Sequence, residues 1–151
     1  MKLGFTATRK GCTSAQLKSA AEVLERLRPS LVNQGCCLGG DAELTQLLVM
    51  KIADESLPEC TVVGHPSTNK GMTSEVALTL CDEVHQPLPP LERNGNIVAN
   101  SEALLACPET AEEVVRSGTW ATIRKARKHG LPIYLILPDG TIRDENTSPL
   151  R

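Results

Sequence analysis

Three short segments of this 151-residue chain combine glycine, hydroxyl side chains and charge as an anion-binding loop requires. The first, Thr6-Ala7-Thr8-Arg9-Lys10-Gly11, offers hydroxyls, backbone N–H groups and two cations. Arginine grips phosphate or carboxylate through two parallel hydrogen bonds, and consecutive backbone N–H groups cradle anions. The second, Gly35-Cys36-Cys37-Leu38-Gly39-Gly40-Asp41, runs directly into a helical pattern. Its glycines allow close backbone approach to a ligand, and the helix N-terminus favours negative charge. Asp41 reads equally well as the N-cap of that helix. The third, Arg116-Ser117-Gly118-Thr119-Trp120, opens the last helical pattern, where free N–H groups and two hydroxyls suit a phosphate. Arg93-Asn94, shortly after Pro87-Leu88-Pro89-Pro90, adds a cation and an amide able to clamp a phosphate or ribose; an ordinary surface arginine is the other reading. The candidate ligand-binding residues are therefore Thr6, Thr8, Arg9, Gly35, Gly39, Asp41, Arg93, Asn94, Ser117, Gly118 and Thr119.

Other chemistries find less support. The six cysteines form no CxxC pair and share no zinc-type spacing with histidine. Cys60 and Cys107 sit in apolar runs, where a thiol packs as a small core residue. Cys36-Cys37 reads as two small side chains in a tight turn, with redox chemistry as the alternative. His65, His85 and His129 have no metal-like spacing with carboxylates; His65 ends an apolar run close to the proposed crevice, and His129 suits a helix C-terminus. No GxSxG nucleophile elbow is present. No metal and no resident cofactor is expected.

The elements that must position these loops follow from hydrophobic pattern. Five short apolar runs, Leu3–Thr6, Leu31–Gln34, Cys60–Gly64, Ala103–Cys107 and Ile133–Leu137, read as strands buried on both faces of a parallel sheet. Between them lie helical patterns. Thr13 and Gln16 have capping-box spacing, and Leu17, Ala20, Ala21, Leu24 and Leu27 form one stripe that Pro29 stops. A second helix after Asp41 carries Leu44, Leu47, Leu48 and Ile52; a third spans Leu91–Ala99; the last runs from Thr119 to His129 and closes at Gly130. Strands alternating with helices predict an α/β fold of the doubly wound kind, with a mainly parallel five-stranded sheet and helices on both faces. In the common strand order, the first and fourth runs flank the point where ligands bind, so the first and third loops are expected to face one crevice. Residues 1–140 are read as the domain and 141–151 as a loosely held C-terminal tail. Pro66–Pro90 and Pro108–Ser117 read as long irregular stretches.

Composition narrows the partners. The net charge is −2, and Phe5, Trp120 and Tyr134 are the only aromatics. Neither a basic field nor a stacking surface for nucleic acid is available. No segment approaches membrane-spanning length, and the N-terminus has too short an apolar stretch for a signal peptide. A small-molecule partner, no nucleic acid, no membrane and a cytoplasmic location are expected.

Taken in order, Gly4-x-Thr6 with Arg9 and Gly11, Gly35-x-x-x-Gly39-x-Asp41, Leu91-Glu92-Arg93-Asn94 and Ser117-Gly118-Thr119-Trp120-Ala121-Thr122 resemble the SLOG superfamily. This Rossmann-like group includes the LOG phosphoribohydrolases and the DprA-like proteins. The resemblance implies a Rossmann-like fold that binds a nucleotide or nucleotide-derived ligand, and a homodimer or higher homo-oligomer. It also shows two departures from the LOG pattern. Asn94 stands where those enzymes carry lysine beside the arginine. Thr122 stands where their glycine-rich motif continues to a glutamate, and Glu109, Glu112 and Glu113 in the preceding loop are the substitutes at hand. Stabilising an oxocarbenium-like sugar usually takes a carboxylate. The resemblance therefore implies a ligand sensor or sequestering module first, with nucleotide phosphoribohydrolase activity as the alternative.

Overall fold

The first helix starts where its capping box dictates. Thr13 Oγ1 accepts from Gln16 N at 3.0 Å while Gln16 Oε1 accepts from Thr13 N at 3.0 Å, satisfying two donors at the helix end. Arg28 then takes a left-handed conformation before Pro29 and ends the helix. A computed structural model describes residues 1–145, in the order β1 (Lys2–Ala7), α1 (Ser14–Leu27), β2 (Leu31–Gln34), α2 (Gly40–Ala53), β3 (Thr61–Gly64), a 3-10 turn (Lys70–Met72), α3 (Glu75–Thr79), β4 (Glu83–Val84), α4 (Pro90–Ala99), β5 (Ala103–Cys107), α5 (Gly118–Lys128), β6 (Ile133–Ile136) and β7 (Ile142–Glu145).

The strands form one sheet in the order β4-β3-β2-β1-β5-β6-β7, parallel except for the antiparallel β6–β7 pair. Alternation along each strand sorts the core into two layers. Leu3, Phe5, Leu105, Cys107 and Ile136 pack with Ala20, Val23 and Leu24 of α1 and Leu44 and Leu48 of α2. Leu104, Ala106, Ile133 and Leu135 pack on the opposite face with Val98 of α4 and Trp120, Ile123 and Ala126 of α5. The chain leaves β1 toward β2 with α1 on one face, then returns to pair β5 beside β1 and continues through α5 on the other. The loops after β1 and β5 therefore part, and a gap opens at the carboxyl ends of those two strands.

Among the described residues the sheet has seven strands rather than the expected five. Strand β4 has only two residues, both exposed, too few for any hydrophobic period to register. Strand β7 carries the polar sequence Ile-Arg-Asp-Glu on a sheet edge, so residues 142–145, read as part of a loose tail, instead pair along β6 from Ile136↔Ile142 to Ile133↔Glu145. Pro138-Asp139-Gly140 makes the turn: Gly140 N donates to Leu137 O at 2.8 Å with Gly140 at φ +89°. The rest of that tail lies outside the described residues. The stretch Pro66–Pro90 is likewise not all loop, because it holds the 3-10 turn, α3 and β4.

Gln16 links this frame to the gap. Its side chain is buried, and Nε2 donates to Pro108 O at 2.8 Å and Ile136 O at 3.0 Å, fixing the carboxyl ends of β5 and β6 to α1. Gln16→Leu leaves two interior carbonyls without a donor and removes half the capping box. It is expected to cost about 2–4 kcal/mol in urea denaturation, and a loss below 0.5 kcal/mol contradicts this anchoring role.

Candidate functional site

The gap between β1 and β5 is a crevice of about 600 Å³. The loop after β1 folds on itself: Thr8 N donates to Cys107 O at 3.0 Å, and Thr8 O accepts from Gly11 N and Gly40 N. Thr8 Oγ1 accepts from Lys10 N at 3.2 Å, leaving Arg9 and Lys10 on the crevice wall. Opposite, Ser117 caps α5 by accepting from Trp120 N at 3.2 Å. The N–H groups of Gly118 and Thr119 belong to the first turn, which has no intrahelical acceptors. Arg116, Ser117, Gly118 and Thr119 all border the same space as Thr6, Thr8 and Arg9. The two loops predicted to face one another do so.

Arg93 is placed differently from either expectation. It borders the crevice yet is buried, and its guanidinium is spent on the protein. Nη1 donates to Gly35 O at 2.6 Å and His65 O at 3.3 Å, Nη2 to Cys37 Sγ at 3.4 Å, and Nε to Asn94 Oδ1 at 2.8 Å. Asn94 borders the crevice with its oxygen thus engaged. Arg93 is a brace between α4 and the carboxyl ends of β2 and β3.

Asp41 is not an N-cap. Helix α2 begins at Gly40, and the buried Asp41 carboxylate turns back to accept from Gly35 N at 3.2 Å and Cys37 N at 3.3 Å. Burial pushes its carboxyl up to about 6 despite the nearby Arg93 and those N–H donors. His65, at the end of β3, is also buried. Asn33 Nδ2 donates to Asn100 O and Ser101 Oγ, so Asn33 Oδ1 faces His65 Nε2 and accepts its proton at 2.9 Å. Among the described residues Nδ1 has no partner, and the His85 ring lies 4.5 Å away between centroids. Burial first, then His85 and Arg93, pulls the imidazole down to about 4.

The glycines divide by what fills the space beside them. A Cβ on Gly35 would sit 2.8 Å from Arg93 Nη1 and 2.9 Å from Asp41 Oδ2, so this glycine lets two opposite charges flank the backbone. Gly39, at φ +79°, would drive a side chain into the Arg9 carbonyl, and it does not border the crevice. Both glycines make room for neighbouring protein atoms, and Gly35 also borders the crevice. Gly118 alone of these three has open space around it.

Sequence reasoning left out several walls of the crevice. Lys10 and Arg116 were within the segments read as loops but outside the candidate set. Glu109 lines the mouth and pairs with Lys10 at 3.0 Å, whereas Glu113 is tied to Arg124 and Arg127. Met72 arrives through long-range contacts, a Leu38 N to Met72 O hydrogen bond and a Cys37–Thr73 bridge, for which no local signal exists. Thr122 is buried and donates to Gly118 O at 3.0 Å, so the position of the LOG glutamate faces the core.

This crevice at the switch point of a doubly wound sheet defines a Rossmann-like α/β protein, and known structures agree. No family model and no curated protein matches the sequence. Among solved structures, the chain is similar to the molybdenum cofactor binding protein of the phototrophic bacterium Rippkaea orientalis, with TM-score 0.60, 19% identity, and coverage of 90% of this chain and 76% of that one. It is similar to a structural-genomics target, TM1055, with TM-score 0.57, 16% identity, and coverage of 89% and 73%. DNA processing protein A from Streptococcus pneumoniae gives TM-score 0.62 and 17% identity over 89% of this chain, which spans about half (49%) of that protein. These likenesses show the fold, a Rossmann-like α/β fold as the sequence pattern predicts.

Two outcomes test the buried polar layer. Arg93→Ala strands the Gly35 and His65 carbonyls and leaves Asp41 without its countercharge, at an expected cost of about 3–5 kcal/mol; lysine, lacking the planar fork, restores only part. Thermal or urea unfolding reads both. The second outcome is a pH dependence. His65, with its folded value near 4, stabilises the fold above about 6.5 and loses that contribution as pH falls toward 4. Asp41, raised to about 6, works in reverse: its ionisation costs stability as pH rises through 6, and acidification toward 3.8 relieves the cost. The wild type is expected to be nearly flat between pH 4 and 7, whereas Asp41→Asn loses stability on acidification. A flat profile in Asp41→Asn refutes the assignment of His65 as a buried neutral imidazole.

Proposed function

We propose that this protein binds a nucleotide or nucleotide-derived phosphate ligand in the β1–β5 crevice, as a sensor or sequestering module. The observation that carries the reading is the convergence on one 600 Å³ space of Arg9, Lys10 and Arg116 with the open first turn of α5 at Gly118. Cations and unpaired helix N–H groups favour the same anion. Thr6, Thr8, Ser117 and Thr119 supply hydroxyls, Asn94 keeps its amide donors for a ribose or base, and Met72, Pro90 and Val114 give an apolar wall. Gly35, Gly39, Asp41 and Arg93 hold the floor in shape. A structural neighbour that binds a cofactor supports small-molecule binding at this fold. Net charge −2 supports a small ligand over nucleic acid. No helix among the described residues is long and apolar enough to cross a membrane. The reading includes a cytoplasmic homo-oligomer.

Hydrolysis of the N-glycosidic bond is the second reading, and Glu109 in the crevice lining favours it. Its pairing with Lys10, and the inward-facing Thr122, place the expected balance on binding without turnover.

Calorimetry with AMP, ADP and ADP-ribose is expected to detect binding. Gly118→Asp should weaken it about a hundredfold, ~3 kcal/mol, by placing a carboxylate beside the phosphate. With open space around Gly118, the variant should keep its melting temperature. Unchanged affinity moves the site elsewhere. Chromatography after long incubation should recover the nucleotides intact; release of free base, lost in Glu109→Gln, establishes a hydrolase instead.

A further inference from the structure

Cys36, Cys81 and Gly64 meet behind the crevice floor. A Cβ on Gly64 would lie 2.6 Å from Cys36 Sγ and 2.7 Å from Cys81 Sγ, so both sulfurs occupy the space that β3 leaves by lacking a side chain there. Cys81 packs against the buried Cys36, so the two sulfurs are neighbours. Their segments are already held together: Ser74 N donates to Cys36 O at 2.8 Å, and Cys37 bridges Thr73. We propose that Cys36 and Cys81 are a peroxide-oxidisable dithiol that closes into an intramolecular disulfide between the crevice-floor loop and the end of α3.

The surroundings assign different roles to the two sulfurs. Cys81 is half-buried, within reach of a small oxidant, while Cys36 is buried. The neighbouring Cys36 first, and then Gln34 Nε2, which donates to Cys81 Sγ at 3.0 Å, hold the Cys81 thiol below its ordinary value against burial and Asp82, while Cys81 Sγ itself reaches Ala77 O at 3.2 Å. The neighbouring Cys81, with burial, raises Cys36. A thiolate is the reactive form, so Cys81 reacts first. Its thiolate attacks hydrogen peroxide, the O–O bond breaks, and Cys81 becomes a sulfenic acid with release of hydroxide. Cys36 sulfur then attacks the sulfenic sulfur, the S–O bond breaks, and the displaced oxygen leaves as water with the Cys36 proton. Two thiols are oxidised and one peroxide is reduced, giving two waters in all once the hydroxide takes up a proton.

Cys12 and Cys107 form a second contact pair, and they serve as an internal control. Cys107 is raised by its Cys12 contact, by burial and by the carboxylates of Asp41 and Glu43, so the thiolate is disfavoured there. The vicinal Cys36–Cys37 pair leaves Cys37 bound to Arg93 on the far side of the loop.

The test uses the whole chain without any ligand, so its result is independent of the crevice reading. Limited hydrogen peroxide should reduce the alkylatable thiols from six to four, and dithiothreitol should restore six. Peptide mass mapping without reduction should show Cys36 joined to Cys81. In Cys36→Ser, dimedone should trap the sulfenic acid on Cys81; in Cys81→Ser, no cysteine should be trapped. A disulfide closing a loop of about 45 residues in native geometry should raise the melting temperature by about 5–10 °C. Cross-links at Cys12–Cys107 or Cys36–Cys37 in place of this pair, six persistent thiols, or a lowered melting temperature each overturn the proposal.

Discussion

The Arg93 guanidinium is the brace on which the crevice depends. One side chain of α4 reaches Gly35 O after β2 and His65 O after β3, and it also contacts Cys37 Sγ. Asp41, on α2, stands on the other side of Gly35 and fixes the same loop through its N–H groups. Two opposite charges thus grip one short loop from above and below, each with hydrogen bonds to offset its desolvation. A buried charge is tolerable only with such partners, and removing one leaves the other exposed to the full penalty. Helix α4, the sheet and helix α2 are therefore held in one relative placement at the crevice floor.

That division sets the electrostatics of the site. Below, the buried charge of Arg93 faces that of Asp41, and the neutral side chains of Asn33 and His65 pair with one another. Charge at the crevice wall is left for solvent or ligand. Lys10 has only an exposed ion pair with Glu109, which an anion can displace at small cost. The first turn of α5 adds its dipole at the same wall. The floor gives shape, and the wall gives attraction.

The glycine-rich appearance of the loops has three separate physical origins. Gly35 is small because Arg93 and Asp41 fill its flanks, Gly39 because the chain turns left-handed against Arg9, and Gly118 because nothing fills the space at all. Only the last has the openness a ligand needs. Glycine in a loop motif says that a side chain does not fit, without saying whether protein or ligand takes its place.

Most of the frame was written locally. Leu31–Gln34 and Ala103–Cys107 are strands over the residues that the apolar runs mark, and the Thr13–Gln16 capping box and the Arg28–Pro29 stop place α1, because burial on both sheet faces and helix-end hydrogen bonding act within a few residues. The alternation of strand and helix also brought Thr6, Arg9, Ser117 and Thr119 to one edge, since parallel strands put all their carboxyl-end loops on the same side. Tertiary structure decided the rest. β7 is polar and owes its pairing to the Pro138-Asp139-Gly140 turn and the free edge of β6, and β4 is two residues long. Arg93 is buried instead of exposed because carbonyls from residues 35 and 65 converge on it, and Asp41 abandons the cap because Gly35 and Cys37 present their N–H groups. Those partners lie up to 58 residues away along the chain, beyond the range over which a pattern of residue types carries information.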